Sequence, residues 1–140
     1  MSGDTQAVSS ELDLVRSIYA DWERGDWSST EWAHPEIVFE MVGGIQEGTW
    51  TGIIEMGRVW GAMVNAWEDL TADPEEFRDL HDGRVLVFLR NSGRGRHSGI
   101  EIADISTKSA NIFTIREGKV TRLALYWDRD RAIADLGLAD

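Results

Sequence analysis

The stretch Asn111-Ile112-Phe113-Thr114-Ile115-Arg116-Glu117-Gly118-Lys119-Val120-Thr121-Arg122-Leu123-Ala124-Leu125-Tyr126-Trp127 decides the fold. Two runs rich in β-branched, aliphatic and aromatic residues, Asn111 to Arg116 and Val120 to Trp127, flank Glu117-Gly118, and such a pair about a glycine turn predicts an antiparallel hairpin. The pattern repeats upstream. His81-Asp82-Gly83 separates Glu75 to Leu80 from Val85 to Arg90, and Asn91-Ser92-Gly93 marks a turn after that second run. Consecutive hairpins make an antiparallel meander. The segment from Ser98 to Ile115 is long for one strand and carries the polar Ser106-Thr107-Lys108-Ser109, which predicts a bulge or bend and hence a sheet that curls.

Before Leu70 the period is that of helices. Val15, Ile18, Tyr19 and Trp22 recur at helical spacing after Ser10, predicting a first helix that ends near Gly25. Ser28 and Glu31 make a short capping box, predicting a brief second helix that His34-Pro35 stops. Ile37 to Met41 reads as a strand. After a glycine-rich stretch, Ile53, Met56, Trp60, Met63, Val64 and Trp67 form a third helical series. At the far end Asp128 caps a short helix with Ala132, Ile133 and Leu136 on its apolar side and Gly137 as its stop. Helices first and sheet second give an α+β layer rather than alternating βαβ units.

The 140 residues fit one domain, read as residues 11–140 behind a flexible N-terminus over 1–10. A hydrophobic share of 42% with seven tryptophans provides ample core. The formal net charge of −11 repels phosphate backbones and anionic lipid, so neither nucleic acid nor membrane is an expected partner. There is no cysteine, hence no disulfide framework and no thiolate nucleophile. No segment reads as a signal peptide or membrane span, and a cytoplasmic protein is expected. His34, His81 and His97 lack metal-ligand spacing, no phosphate-binding glycine loop or nucleophile elbow is present, and neither metal nor cofactor is expected.

The order of elements, together with Ile18-Tyr19-Ala20-Asp21-Trp22-Glu23-Arg24-Gly25-Asp26, Trp50-Thr51-Gly52, Ile115-Arg116-Glu117-Gly118-Lys119-Val120 and the ending Asp128-Arg129 through Leu136-Gly137-Leu138, resembles the nuclear transport factor 2-like superfamily. Within it the chain is similar to the SnoaL-like and ketosteroid isomerase-like proteins, from about Leu12 to Leu138. The resemblance implies a cone-shaped, curled antiparallel sheet on N-terminal helices (a cystatin-like roll), an enclosed pocket between them, and a homodimer formed through sheet surfaces. It does not imply one reaction, because this fold carries several chemistries as well as plain binding modules.

Alignment with the isomerase pattern puts Glu40 at the general-base carboxylate, beside Phe39 and Met41, where desolvation would raise its pKa; the alternative is a strand-end glutamate in solvent. It puts Asn111 where isomerases keep a protonated oxyanion-hole Asp and cyclases a catalytic one; an amide donates a hydrogen bond but transfers no proton, and an Asn at a bulge is the alternative. The isomerase tyrosine aligns with Ile18, leaving Tyr19 one position away, as a cavity contact or a core residue. His97, in a His-x-Gly element similar to that of the cyclases, shares a strand face with Glu101 and is a second acid/base candidate, or an exposed hairpin residue. Trp22, Trp60, Met63 and Trp127 are placed around the cavity with Tyr19 and Glu101 as ligand contacts, although such residues also serve as simple core.

Two functions follow. One is a cofactor-independent isomerase, cyclase or dehydratase-type enzyme acting on a small hydrophobic molecule, with Glu40, Asn111 and His97 as catalytic residues. The other is a non-catalytic small-molecule-binding or dimeric interaction module.

Overall fold

The computed structural model describes residues 3–26, 30–43, 47–65, 67–95 and 105–137. Helix α1 (Gly3–Glu23) buries Val15, Ile18, Tyr19 and Trp22, the i, i+3, i+4, i+7 stripe of its sequence. It starts at Gly3 and runs through Ser10, no Pro or Gly interrupting residues 4–9. Gly25, at φ 82°, ends it by donating its N–H to the Trp22 carbonyl.

The brief second helix is replaced by a turn. Ser28 lies outside the described residues; Glu31 and Trp32 form a turn closed by Ala33 N–H to Thr30 C=O at 3.0 Å, and the chain goes straight into β1 (Ala33–Val42). Pro35 holds its predecessor extended and sits where the strand's register shifts, between Ala33 and Val38. The glycine-rich stretch leads to a short strand the sequence reading missed, β2 (Gly48–Thr51), which pairs with β1 and sets Trp50 opposite Phe39. Helix α2 (Ile53–Asn65) follows, and Trp67, expected on this helix, is instead the first residue of β3 (Trp67–Asp79).

Strands β3, β4 (Arg84–Gly95), β5 (Ile105–Arg116) and β6 (Lys119–Tyr126) form the meander, and α3 (Arg129–Leu136) closes it with its Asp128 N-cap and left-handed Gly137. The sheet is curled and unclosed, in the order β2-β1-β6-β5-β4-β3. It is mixed rather than wholly antiparallel, because β1 lies parallel to β6. Asn91-Ser92-Gly93 is not a turn but the continuation of β4, paired with Thr107, Ser106 and Ile105. Nor is there a bulge at Ser106 to Ser109: the β4–β5 register is unbroken from Arg84 opposite Thr114 to Gly93 opposite Ile105. Ser109, at the end of the polar run, is buried and finds partners of its own, accepting from the Asn91 amide at 3.0 Å and donating to the Trp127 carbonyl at 3.2 Å. Register shifts on the edge strand β3 fall between Glu68 and Thr71 and between Pro74 and Glu76, where a proline costs the ladder a donor, and a further one lies between Thr114 and Ile115 where β5 meets β6.

Alternation gives the sheet two apolar faces. Phe39, Met41, Val85, Val87, Leu89, Phe113, Ile115, Leu123 and Leu125 face inward onto α1 and α2. Val42, Leu86, Phe88, Ala110, Ile112, Ala124 and Tyr126 form the outer face, joined by Ala132 of α3. Arg129 fastens α3 to the sheet: it donates to the Leu89 carbonyl at 2.9 Å and to Glu75 at 2.7 Å, with its guanidinium 4.9 Å from the Phe88 ring centre. Among the described residues no helix is long and apolar enough to cross a membrane.

Candidate functional site

A cleft of about 410 Å³ opens between the segment after α1 and the flank of α2, within the range of small-molecule sites. One bank is Gly25, Asp26, Thr30 and Trp32; the other is Met56, Gly57, Trp60, Gly61, Val64 and Asn65, with Leu123 of β6 as floor. Gly25, Asp26, Gly57 and Asn65 are exposed, so the cleft reaches the surface and is not the enclosed chamber anticipated. Helical spacing explains the second bank. Met56, Trp60 and Val64 recur every four residues along one stripe, and Gly57, Gly61 and Asn65 form the adjacent stripe.

Behind the cleft an aromatic series runs into the core. Trp60 lies 5.0 Å from Trp22 and 5.9 Å from Phe39, measured between ring centres, and Trp22 meets Tyr19 edge-on at 4.7 Å. Tyr19 also packs edge-on against Phe77 and Phe113. At the end of the series the Asn111 amide donates to the Tyr19 hydroxyl at 2.6 Å. This pair joins α1 to the inner face of β5 and is deeply buried, Tyr19 at 1% exposure and Asn111 at 4%. Tyr19, one position from where the isomerase alignment put its tyrosine, is thus the residue that meets Asn111.

Burial drives the Tyr19 phenol pKa far up, the Asn111 hydrogen bond opposing only in part. Tyr126 is pushed up to about 12, by burial first and then by its hydrogen bond to Asp135. These are the only two tyrosines. A phenol whose folded pKa is raised adds stability that is complete below its unfolded value of about 10 and is lost as pH climbs through the folded one. An alkaline titration should therefore show little tyrosinate absorbance at about pH 11 in the folded chain. Absorbance at the ordinary tyrosine midpoint, with the fold intact by circular dichroism, would refute this.

The other anticipated residues do not converge. Glu40 stands on the outer face: in β1 the side chains of Ile37, Phe39 and Met41 point inward and Glu40 alternates away from them. Its carboxylate accepts from the Arg122 guanidinium at 2.6 Å on that outer face and does not sit beside Phe39 and Met41 as anticipated. The odd-even parity of one strand position places Glu40 and Asn111 on opposite sides of the sheet. His97 and Glu101 lie outside the described residues, as does the side chain of Met63 on α2. Trp22 is core behind the cleft, Trp60 is its wall, and Trp127 is half-buried against the inner core away from it. Among the described residues no group of three His, Cys, Asp or Glu is placed to hold a metal ion.

Sequence reasoning missed Asp26, Thr30, Trp32, Leu123 and the glycine stripe of α2. The available signal was Gly57 and Gly61, spaced by four inside a strong helical pattern, where a glycine costs about 0.5–1 kcal/mol relative to alanine.

Comparison with known proteins agrees with this fold. An NTF2-like protein from Burkholderia thailandensis superposes with a TM-score of 0.74 at 20% identity, over 92% of this chain and 98% of that one. A putative polyketide cyclase from Sinorhizobium meliloti gives 0.64 at 24% identity, over 81% and 93%. TerC, co-crystallised with polyporic acid, gives 0.72 at 19% identity, over 91% and 97%. No curated protein matches the chain. The SnoaL-like domain matches residues 15–123, from the buried stripe of α1 to the cleft floor on β6, and the chain belongs to the SnoaL-like family.

Proposed function

We propose that this protein takes up a small, flat, hydrophobic molecule bearing a carbonyl group and acts on it as a cofactor-independent isomerase, cyclase or dehydratase-type enzyme. The observation that carries the reading is the cleft of about 410 Å³ walled by Trp32 and Trp60. Aromatic walls bind a flat apolar face, and the rim of Asp26, Thr30 and Asn65 offers donors and acceptors to its polar edge. That TerC was crystallised with polyporic acid, and that a second neighbour is a putative polyketide cyclase, favours the same class of ligand.

For the chemistry, the Thr30 hydroxyl and the Asn65 amide at the cleft supply hydrogen-bond donors that stabilise an enolate oxygen. A base removes the proton α to the carbonyl, the electron pair moves onto the oxygen, and the proton returns at another carbon. Nothing else is consumed. With Glu40 on the outer face, the carboxylate available to the cleft is Asp26. Trp22 meets both Trp60 and Tyr19 and separates the cleft from the buried Tyr19–Asn111 pair, which joins α1 to β5.

The test is twofold. Titration with the naphthyl ketone dye prodan should quench tryptophan fluorescence, and Trp60→Ala should weaken binding about tenfold, the loss of roughly 1.4 kcal/mol of stacking. α-Proton exchange of a β,γ-unsaturated cyclic ketone in D2O, followed by NMR, should exceed the buffer rate and fall in Asp26→Asn. Absence of binding defeats the whole reading; binding with exchange at the buffer rate defeats its catalytic half.

A further inference from the structure

Gly57 and Gly61 lie four residues apart on the cleft side of α2. Neither needs to be glycine for its backbone, since both are helical and neither is among the positive-φ glycines. Neither needs to be small for its neighbours: a Cβ at either position meets no heavy atom within 4 Å. Gly83 is the contrast, with φ 88° and the Ile115 carbonyl 3.2 Å from where its Cβ would stand. Two glycines inside a helix therefore weaken it while the folded chain derives no packing or conformational benefit. What they do provide is depth in the cleft. Without Cβ atoms the α2 backbone itself forms part of one bank, facing Asp26, Thr30 and Trp32 across the opening.

We propose that Gly57 and Gly61 are specificity-determining residues, the bare strip of α2 along which the far rings of a planar ligand stacked on Trp60 extend. This rests on the ligand reading above and narrows it: the occupant is a rigid multi-ring plane, since a single ring fits against Trp60 without needing the strip. Methyl groups at both positions stand where the far rings would lie, which shortens the site while leaving Trp60 and Trp32 in place.

The full chain carrying Gly57→Ala, Gly61→Ala and both together tests this with prodan, which has two fused rings, and with acetophenone, which has one. Each substitution should raise Tm by about 3 °C, as expected for relieved helical glycine in a chain of this size. The double variant should bind prodan about tenfold more weakly and acetophenone unchanged. Prodan affinity equal to that of the parent overturns the proposal, as does equal weakening for both ketones. A lower Tm also overturns it, since the glycines would then serve the helix's own packing. A parent chain that binds neither ketone defeats the ligand reading itself; a parent that binds, with variants that bind alike, defeats only the role of the glycines.

Discussion

Trp22→Ala should cost the folded chain about 3–5 kcal/mol, the usual toll for emptying a fully packed tryptophan site. Trp22 is buried at 4% exposure and meets Tyr19, Trp32 and Trp60, so its removal opens a void where α1, α2 and the turn at Trp32 come together. Rings fixed by their edges cannot collapse into that space without breaking their contacts with Phe39 and Phe113. In a thermal melt the midpoint should fall by roughly 10–15 °C. Trp22→Phe, which fills most of the space, should recover over half of the loss. An alanine variant melting within a few degrees of the parent would show that Trp22 is peripheral.

Tyr19→Phe should destabilise by about 1–3 kcal/mol although it removes a single oxygen, because it strands the Asn111 amide in a dry setting. Asn111→Ala should cost a similar or larger amount, through the stranded phenol and the space it leaves. The double variant should then be more stable than the sum of the two single losses predicts, with an interaction energy of about 1–2 kcal/mol in a double-mutant cycle measured by urea unfolding. Additive losses would mean that the two groups do not depend on each other.

The fold was legible because its signals are local. Asp82-Gly83 and Glu117-Gly118 set the hairpins, Asp128 and Gly137 bracket the last helix, and the stripe of Val15, Ile18, Tyr19 and Trp22 shows which side of α1 is buried. Less legible were features decided by distant partners. The polar run ending at Ser109 suggests a bulge or bend, yet the Ser109 hydroxyl is satisfied within the sheet by Asn91 and the Trp127 carbonyl, neither of them a neighbour in sequence. β2 has four residues and exists because Phe39 and Val38 offer it an edge. The site suffered most, since its residues answer to geometry finer than spacing. Glu40 is one residue from two buried side chains, and in a strand one residue is the difference between the two faces. Tyr19 is one residue from the aligned position, and on a helix both Ile18 and Tyr19 reach the core, so only the partner across the interior identifies which of them has a polar role.

The parallel pairing of β1 with β6 bears on how the chain reaches its native state. Every other adjacent pair in the sheet joins strands that are neighbours in sequence, so β3 to β6 can zip in order, and β2 can fold back on β1. The β1–β6 seam instead unites Val38 with Arg122 and Val42 with Tyr126, across most of the polypeptide. During synthesis the early hairpin of β1 and β2 therefore waits with one edge open until β6 has emerged, and the late closure of so large a loop sets the pace of folding.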